Sequence, residues 1–103
     1  QALERQKGHE DEATAAFNQV FRALAQNLQA GLPVTADANQ EEAAKLLRAI
    51  RTYGFDCSVE VFGYIGKGYV YNPEFKENID KFGDGTAQYT SDVIAHYVQT
   101  QTK

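Results

Sequence analysis

Residues 52–75, which read TYGFDCSVEVFGYIGKGYVYNPEF, decide how the whole chain is interpreted. This stretch holds the single cysteine and seven of the twelve tyrosine and phenylalanine residues in a chain of 103 residues. A domain of this size needs only a few aromatic rings for its core, and tyrosine suits a pocket with a wet edge because its hydroxyl seeks a partner. The cluster therefore indicates a ligand-binding site, although any one ring is more simply explained as part of the core.

Two helices are predicted upstream of this stretch. Apolar residues recur at three- and four-residue steps through residues 12–30, which places them on one helical face, and Gly31 then ends the helix. Asn39 and Glu42, three residues apart, resemble a capping box that opens a second helix. That second helix is predicted to end at Gly54.

Residues 59–71 fit two different structures. Their aromatic and β-branched residues, with Gly63, Gly66 and Gly68 as turn formers, are compatible with a β-hairpin. A helix capped by Ser58 is equally compatible with the pattern, although each interior glycine costs a helix roughly 1 kcal/mol relative to alanine. The residues themselves leave both structures open.

The remaining elements are predicted to be helical. Asn72 is a suitable N-cap, Pro73 suits the first helical position, and Gly83 closes this short helix. A last amphipathic helix follows from residue 86 to residue 98. Four predicted helices and one contested element indicate a small all-α domain.

A series of short motifs carries a family resemblance. The motifs are Ala30-Gly31-Leu32-Pro33, Phe55-Asp56-Cys57-Ser58, Glu60, Gly66, Tyr69-Val70, Asn72-Pro73-Glu74-Phe75, Ile79-Asp80, Gly85, and Asp92-Val93-Ile94 through Tyr97. The order and spacing of these motifs resemble those of the TipAS-type effector domain of MerR-family transcription regulators. The resemblance implies that residues 59–71 are helical and that the fold is a compact globin-like bundle of about five helices. We expect residues 13–103 to form this single domain, after a polar extension over residues 1–12 that can be flexible.

The resemblance also implies a function. Such domains bind bulky, largely apolar antibiotics, such as thiopeptides. They report their occupancy to an attached winged-helix domain and in this way signal multidrug resistance. Contact with DNA is therefore expected only through a separate winged-helix domain absent from this chain, in an intact regulator that is a homodimer. Residues 17–28 are the expected mobile element. Two alternatives stay open, namely a free-standing drug-sequestering resistance protein and a protein–protein interaction module.

The expected ligand-binding residues come mainly from the aromatic cluster. They are Phe55, Asp56, Cys57, Phe62, Tyr64, Tyr69, Tyr71 and Tyr89. Cys57 permits two interpretations: a thiol at a helix N-terminus has a lowered pKa and suits the covalent capture known in some members of the family, whereas a small buried cysteine simply packs. Asp56 and Ser58 are also natural helix caps.

Composition argues against several other functions. The net charge of −4 with no basic stripe gives the chain little with which to bind DNA directly. No apolar run is long enough to span a membrane, and a lone cysteine without a signal-like start favours the cytoplasm. His9 and His96, with no methionine, provide neither a haem ligand set nor a spaced metal motif. We therefore expect no cofactor, no metal, no catalytic residues and no enzymatic activity.

Overall fold

Five helices and short connections make up residues 10–102, the part of the chain that the computed structural model describes. The helices are α1 (Glu10–Gln29), α2 (Asp37–Tyr53), α3 (Val59–Tyr71), α4 (Pro73–Asp80) and α5 (Thr86–Gln101). The described residues contain no β-strand. The prediction of an all-α bundle of about five helices is therefore confirmed. The expected polar extension falls mainly on residues 1–9, outside the described residues, and α1 begins at Glu10.

Helix α1 ends where the sequence predicts. Gly31 adopts a left-handed conformation with φ of 79°, which glycine tolerates without steric cost. The amide of Gly31 donates to the carbonyl of Leu28 and the amide of Leu32 donates to that of Asn27, each over 3.0 Å. This pair of bonds is a Schellman motif, and it satisfies two carbonyls that the last turn would otherwise leave without partners.

Helix α2 begins earlier than the capping-box prediction places it. The helix begins at Asp37, and Asn39 lies inside its first turn with a side chain that is fully buried. Asn39 Nδ2 donates to the carbonyl of Pro33 over 2.8 Å and to the hydroxyl of Tyr89 over 2.6 Å. Its Oδ1 accepts a bond of 3.0 Å from Asn27 Nδ2. The prediction was wrong because these tertiary hydrogen bonds use the side chain that was expected to cap the helix.

Helix α3 confirms the helical interpretation of residues 59–71. Ser58 Oγ accepts a hydrogen bond of 3.1 Å from the amide of Val61 and so caps the helix. A Cβ atom on Gly66 would lie only 2.9 Å from Cγ2 of Ile94. The absence of a side chain at Gly66 therefore lets α3 and α5 pack at close range, and this packing offsets the low helix propensity of glycine.

The short helix α4 and the start of α5 are held by side-chain caps. Asn72 Oδ1 accepts a bond of 2.9 Å from the amide of Glu74, at the predicted N-cap, and Pro73 occupies the first turn. Gly85 has no side chain with which to cap α5, and Asp80 Oδ1 instead accepts a bond of 2.8 Å from the amide of Ala87. Asp80 thus joins the end of α4 to the first turn of α5.

The core lies between α5 and the helices packed around it. Helix α3 packs along α5, α1 packs against α2, and α5 also meets α1, α2 and α4. The backbone of α1 stays farther from α3 and α4 than from α2 and α5. A space is therefore left between α1 and the pair α3 and α4. The core residues are Val20, Leu24, Ala43, Leu46, Leu47, Ile50, Cys57, Phe62, Tyr69, Ile79, Ala87, Tyr89, Val93 and Ile94.

Candidate functional site

The space between α1 and the pair α3 and α4 forms a groove with aromatic walls. Two adjoining cavities, of about 520 Å³ and about 370 Å³, share Phe17, Tyr69 and Phe75 as lining residues. We call the two cavities together the aromatic groove. It is lined by Ala13, Thr14, Phe17, Asn18, Phe21, Ile50, Tyr53, Gly54, Phe55, Ile65, Gly68, Tyr69, Phe75, Asn78, Ile79 and Phe82.

Aromatic contacts across the aromatic groove join α1 to the opposite wall. The ring of Phe21 on α1 meets Tyr69 of α3 edge to face, with ring centres 5.7 Å apart, and Phe82 at 6.1 Å. On the opposite wall, Tyr69 also meets Phe75 of α4 at 6.0 Å. Such pairs hold rings in defined orientations, and Tyr69 lies at their centre.

The polar groups of the aromatic groove are few. Thr14 and Asn18 line it from α1, and Asn78 lines it from α4. Two tyrosines, Tyr53 and Tyr69, also line it, and Tyr69 is 9% exposed. Burial, with a smaller contribution from the nearby Cys57 thiol, raises the pKa of Tyr69 to about 12. The phenol is therefore neutral at physiological pH and able to donate a hydrogen bond.

Two of the residues predicted from the sequence line the aromatic groove. Phe55 lies in the turn between α2 and α3 and is 43% exposed, and Tyr69 lies at the junction of the two cavities. Asp56, beside Phe55 in the same turn, is exposed. This turn therefore places one predicted aromatic side chain at the edge of the groove.

Phe62 and Tyr89, in contrast, belong to the core and do not line the aromatic groove. Phe62 is fully buried and packs edge to face against Tyr97 with ring centres 6.0 Å apart. The hydroxyl of Tyr89 donates a bond of 2.7 Å to the carbonyl of Leu32 and accepts the bond from Asn39. Both rings are used in holding the fold together.

Tyr64 and Tyr71 lie on the outer face of α3, away from the aromatic groove. Tyr64 is 69% exposed, and the ammonium of Lys67 lies 5.4 Å from the centre of its ring. Together with Asp92 and His96, Tyr64 and Lys67 line a more open cavity of about 750 Å³ between α3 and α5, which has fewer aromatic residues in its walls. Tyr71 is 81% exposed at the end of α3. The expected single cleft therefore does not gather all of the predicted tyrosines.

The structure supports the packing interpretation of Cys57. Its side chain is 2% exposed, and Sγ donates to the carbonyl of Ser58 over 3.3 Å. Burial raises the pKa of the Cys57 thiol, against a smaller opposing effect of the Arg51 guanidinium. Arg51 Nε also donates to the carbonyl of Cys57 over 2.7 Å. A raised pKa leaves little thiolate at neutral pH, in contrast to the lowered pKa that covalent capture favours.

Several groove residues were missed by the sequence analysis of the site. Phe17 and Phe21 lie four residues apart on the apolar face of α1, which the sequence analysis named as the expected mobile element but not as part of the binding site. Phe75 belonged to the aromatic cluster, and Phe82 follows α4. The one signal that could have found Phe17 and Phe21 is their spacing, since two phenylalanines on one face of a helix suit a ligand as well as a core.

The described residues show neither a cluster of metal ligands nor a membrane-spanning helix. Within residues 10–102, no three histidine, cysteine, aspartate or glutamate side chains come together as potential metal ligands. Among the described helices, none combines the length and the apolar character needed to cross a membrane.

Three similarities to known proteins bear on this site. Residues 1–97 match the family model of the TipAS antibiotic-recognition domain. The HTH-type transcriptional activator mta of Bacillus subtilis (strain 168) is 27% identical over 88 residues, which cover 84% of this chain and 33% of the activator. The chain therefore spans about a third of the length of that relative.

The fold itself resembles a solved structure. This structure is TipAS in complex with nosiheptide, from a study of a thiopeptide antibiotic multidrug resistance system of Streptomyces lividans. It superposes with a TM-score of 0.80 over 99% of this chain and 77% of the other, at 24% sequence identity. At this identity the similarity establishes a shared helical fold.

Proposed function

The chain belongs to the TipAS antibiotic-recognition domain family, and from this premise we propose that its aromatic groove binds a bulky, largely apolar antibiotic of the thiopeptide class. The observation that carries the proposal is the aromatic groove itself, where rings from α1, α3 and α4 line two adjoining cavities. A largely apolar cleft with a few polar groups is the usual form of a small-molecule site.

The dimensions of the aromatic groove suit a large ligand. Its two cavities of about 520 Å³ and about 370 Å³ adjoin through Phe17, Tyr69 and Phe75. Together they lie within the range of roughly 300–1,000 Å³ that is typical of ligand pockets. Seven phenylalanine or tyrosine rings in the walls offer large apolar contact areas at low entropic cost, because each has only two side-chain torsions.

We further propose that occupancy of the aromatic groove is a regulatory signal in a longer protein. Similarity to a transcriptional activator supports this role, with DNA contacted by a separate winged-helix domain in a homodimeric, cytoplasmic regulator of multidrug resistance. Helix α1 is the element that we expect to move. Its backbone stays apart from α3 and α4 while its phenylalanine rings reach across the groove, so a ligand between them would shift α1. No catalytic step is assigned, because the proposed activity is binding.

Amide NMR titration of this chain with nosiheptide tests the proposal. We expect saturable shifts concentrated in residues 13–21, 53–55 and 65–82, which contribute to the groove. Phe17→Ala removes a ring shared by both cavities and is expected to weaken binding by roughly tenfold or more. Tyr64→Ala is the matched control, because it removes an exposed ring outside the aromatic groove and should leave affinity unchanged.

Each contrary outcome has a definite meaning. Absence of shifts at high nosiheptide concentration would refute thiopeptide binding. Shifts that gather instead between α3 and α5, with Tyr64→Ala more damaging than Phe17→Ala, would move the site to the open cavity beside Lys67 and His96. Binding without any displacement of α1 would favour drug sequestration over signalling.

A further inference from the structure

The hydroxyl of Tyr69 is a polar group in the aromatic groove without a hydrogen-bond partner among the described residues. The contrast with Tyr89 is direct, since the hydroxyl of Tyr89 both donates to Leu32 and accepts from Asn39. Tyr69 is nearly as buried as Tyr89, with exposures of 9% and 7%. A tyrosine hydroxyl buried to this degree usually finds a partner, so the missing bond calls for a reason.

The hydroxyl of Tyr69 keeps some access to open space, and the residue itself lines both cavities of the aromatic groove. Among the described residues, the fully buried side-chain atoms that lack a partner are Gln40 Oε1 and Thr90 Oγ1. The hydroxyl of Tyr69 is not one of them, although it also lacks a partner, and it therefore keeps access to open space. The open space around Tyr69 is that of the two cavities, both of which it lines.

We propose that Tyr69 determines specificity by donating a hydrogen bond from its hydroxyl to an acceptor of the bound antibiotic, such as a peptide carbonyl oxygen. This inference rests on the proposed function of the aromatic groove. It implies that the groove selects, among bulky apolar compounds, those that present an acceptor at the junction of the two cavities. A purely hydrocarbon ligand would leave the hydroxyl without a partner, at a cost in affinity.

The surroundings of Tyr69 suit this role. Edge-to-face contacts with Phe21 and Phe75 fix the ring, so the hydroxyl is directed before a ligand arrives. The pKa of about 12 keeps the phenol protonated and therefore a donor. The apolar walls also strengthen a hydrogen bond made within them.

Tyr69→Phe is the variant that tests the proposal, because it removes the hydroxyl and keeps the ring. We expect its affinity for nosiheptide, measured by calorimetry, to fall roughly tenfold. Its affinity for pyrene, a hydrocarbon without an acceptor, should not fall. Thermal unfolding should show no loss of stability, because the hydroxyl has no partner in the fold.

An NMR measurement separates hydrogen bonding from a change in packing. The Cζ resonance of Tyr69, assigned by its loss in Tyr69→Phe, is expected to shift when nosiheptide binds and to move much less with pyrene. If the wild-type chain binds nosiheptide and Tyr69→Phe binds it equally tightly, the inference is overturned while the proposed function stands. An equal loss of nosiheptide and pyrene affinity would also overturn it, by assigning Tyr69 a role in shape alone. A wild-type chain that does not bind nosiheptide would refute both proposals.

Discussion

Individual tyrosine residues of this chain serve different purposes, and their hydroxyl groups make the difference. The hydroxyl of Tyr89 joins the carbonyl of Leu32, after α1, to Asn39 of α2, whereas Tyr71 is 81% exposed. We expect Tyr89→Phe to lower the free energy of unfolding by about 1–3 kcal/mol, because it leaves the partly buried carbonyl of Leu32 and the buried amide of Asn39 each short of a partner. Urea denaturation measures this value, and Tyr71→Phe is the control that should match the wild type. Equal midpoints for all three proteins would show that the bonds of Tyr89 contribute nothing.

At the residue scale, the sequence predicted which residue types form the candidate site better than it predicted which individual residues line it. The aromatic cluster did contain groove residues, Phe55 and Tyr69 among them. A run of rings on one helix nevertheless points in several directions, since consecutive residues are about 100° apart around the axis. Phe62 therefore faces the core while Tyr64 faces outward. Which of these faces meets a groove depends on where α1 lies, and that is set by packing between distant parts of the chain.

The glycines of α3 show how packing between helices decides a structure that local propensity leaves open. A Cβ at Gly66 would lie 2.9 Å from Ile94, whereas one at Gly68 would meet nothing within 4 Å. We expect Gly66→Ala to destabilise the fold by about 1–3 kcal/mol through overpacking. The matched change Gly68→Ala should stabilise it by about 0.5–1 kcal/mol, because alanine loses less backbone entropy in a helix. Thermal unfolding of both variants tests whether one change destabilises the fold while the other stabilises it. A similar loss of stability in both variants would contradict the close packing at Gly66.

The connection between α4 and α5 carries a charge-dependent contribution to stability. Partial burial opposes ionisation of Asp80, but hydrogen bonds from the Ala87 amide and from Lys76, with the charge of Lys76, outweigh it and hold the pKa of Asp80 below its usual 3.8. A lowered pKa means that the ionised form stabilises the fold above the unfolded pKa, and that this contribution is lost as the pH falls through the folded pKa. The charge also lies at the N-terminus of α5, where anions are favoured.

Asp80→Asn should therefore lower the free energy of unfolding by about 1 kcal/mol near neutral pH. In acid, where Asp80 is protonated, the free energies of unfolding of the variant and the wild type should become more similar. Urea denaturation at about pH 7 and at about pH 2.5 measures both values. Lys76→Gln is a useful companion, because it removes the exposed partner in the ion pair of 2.9 Å and should have a smaller effect. A difference between wild type and Asp80→Asn that is independent of pH would indicate lost hydrogen-bond geometry and not lost charge.

Helix ends were predicted correctly from the sequence where they depend on local contacts. Glycine and asparagine at helix ends act through their own backbone and near neighbours, so Gly31 and Asn72 could be assigned in advance. Asn39 was misassigned because its bonds to Tyr89 span the molecule. The helix α3 needed the family resemblance, because the benefit of Gly66 is realised only against α5.

Across the whole molecule, the aromatic groove separates α1 from α3 and α4, and the proposed ligand would bind between them. Helix α1 packs with α2 and α5, and it meets the opposite wall through the rings of Phe21, Tyr69 and Phe82. A groove bridged mainly by side chains can widen or close without breaking the core, which is the property that a sensor needs. The fold class alone would not indicate this, because an all-α bundle can equally be packed throughout.

Hydrogen exchange with and without nosiheptide tests this division. We expect binding to slow amide exchange in residues 13–21 of α1 and in residues 65–82, because a ligand that binds only the folded chain suppresses local opening around it. At a free concentration near 100 times the dissociation constant, the added stability is about 2.7 kcal/mol. Residues 95–101 at the end of α5, which lie outside the groove, serve as the internal control and should change least. Protection confined to α3 and α4, with α1 exchanging as before, would mean that the ligand binds one wall only and that α1 does not carry the signal.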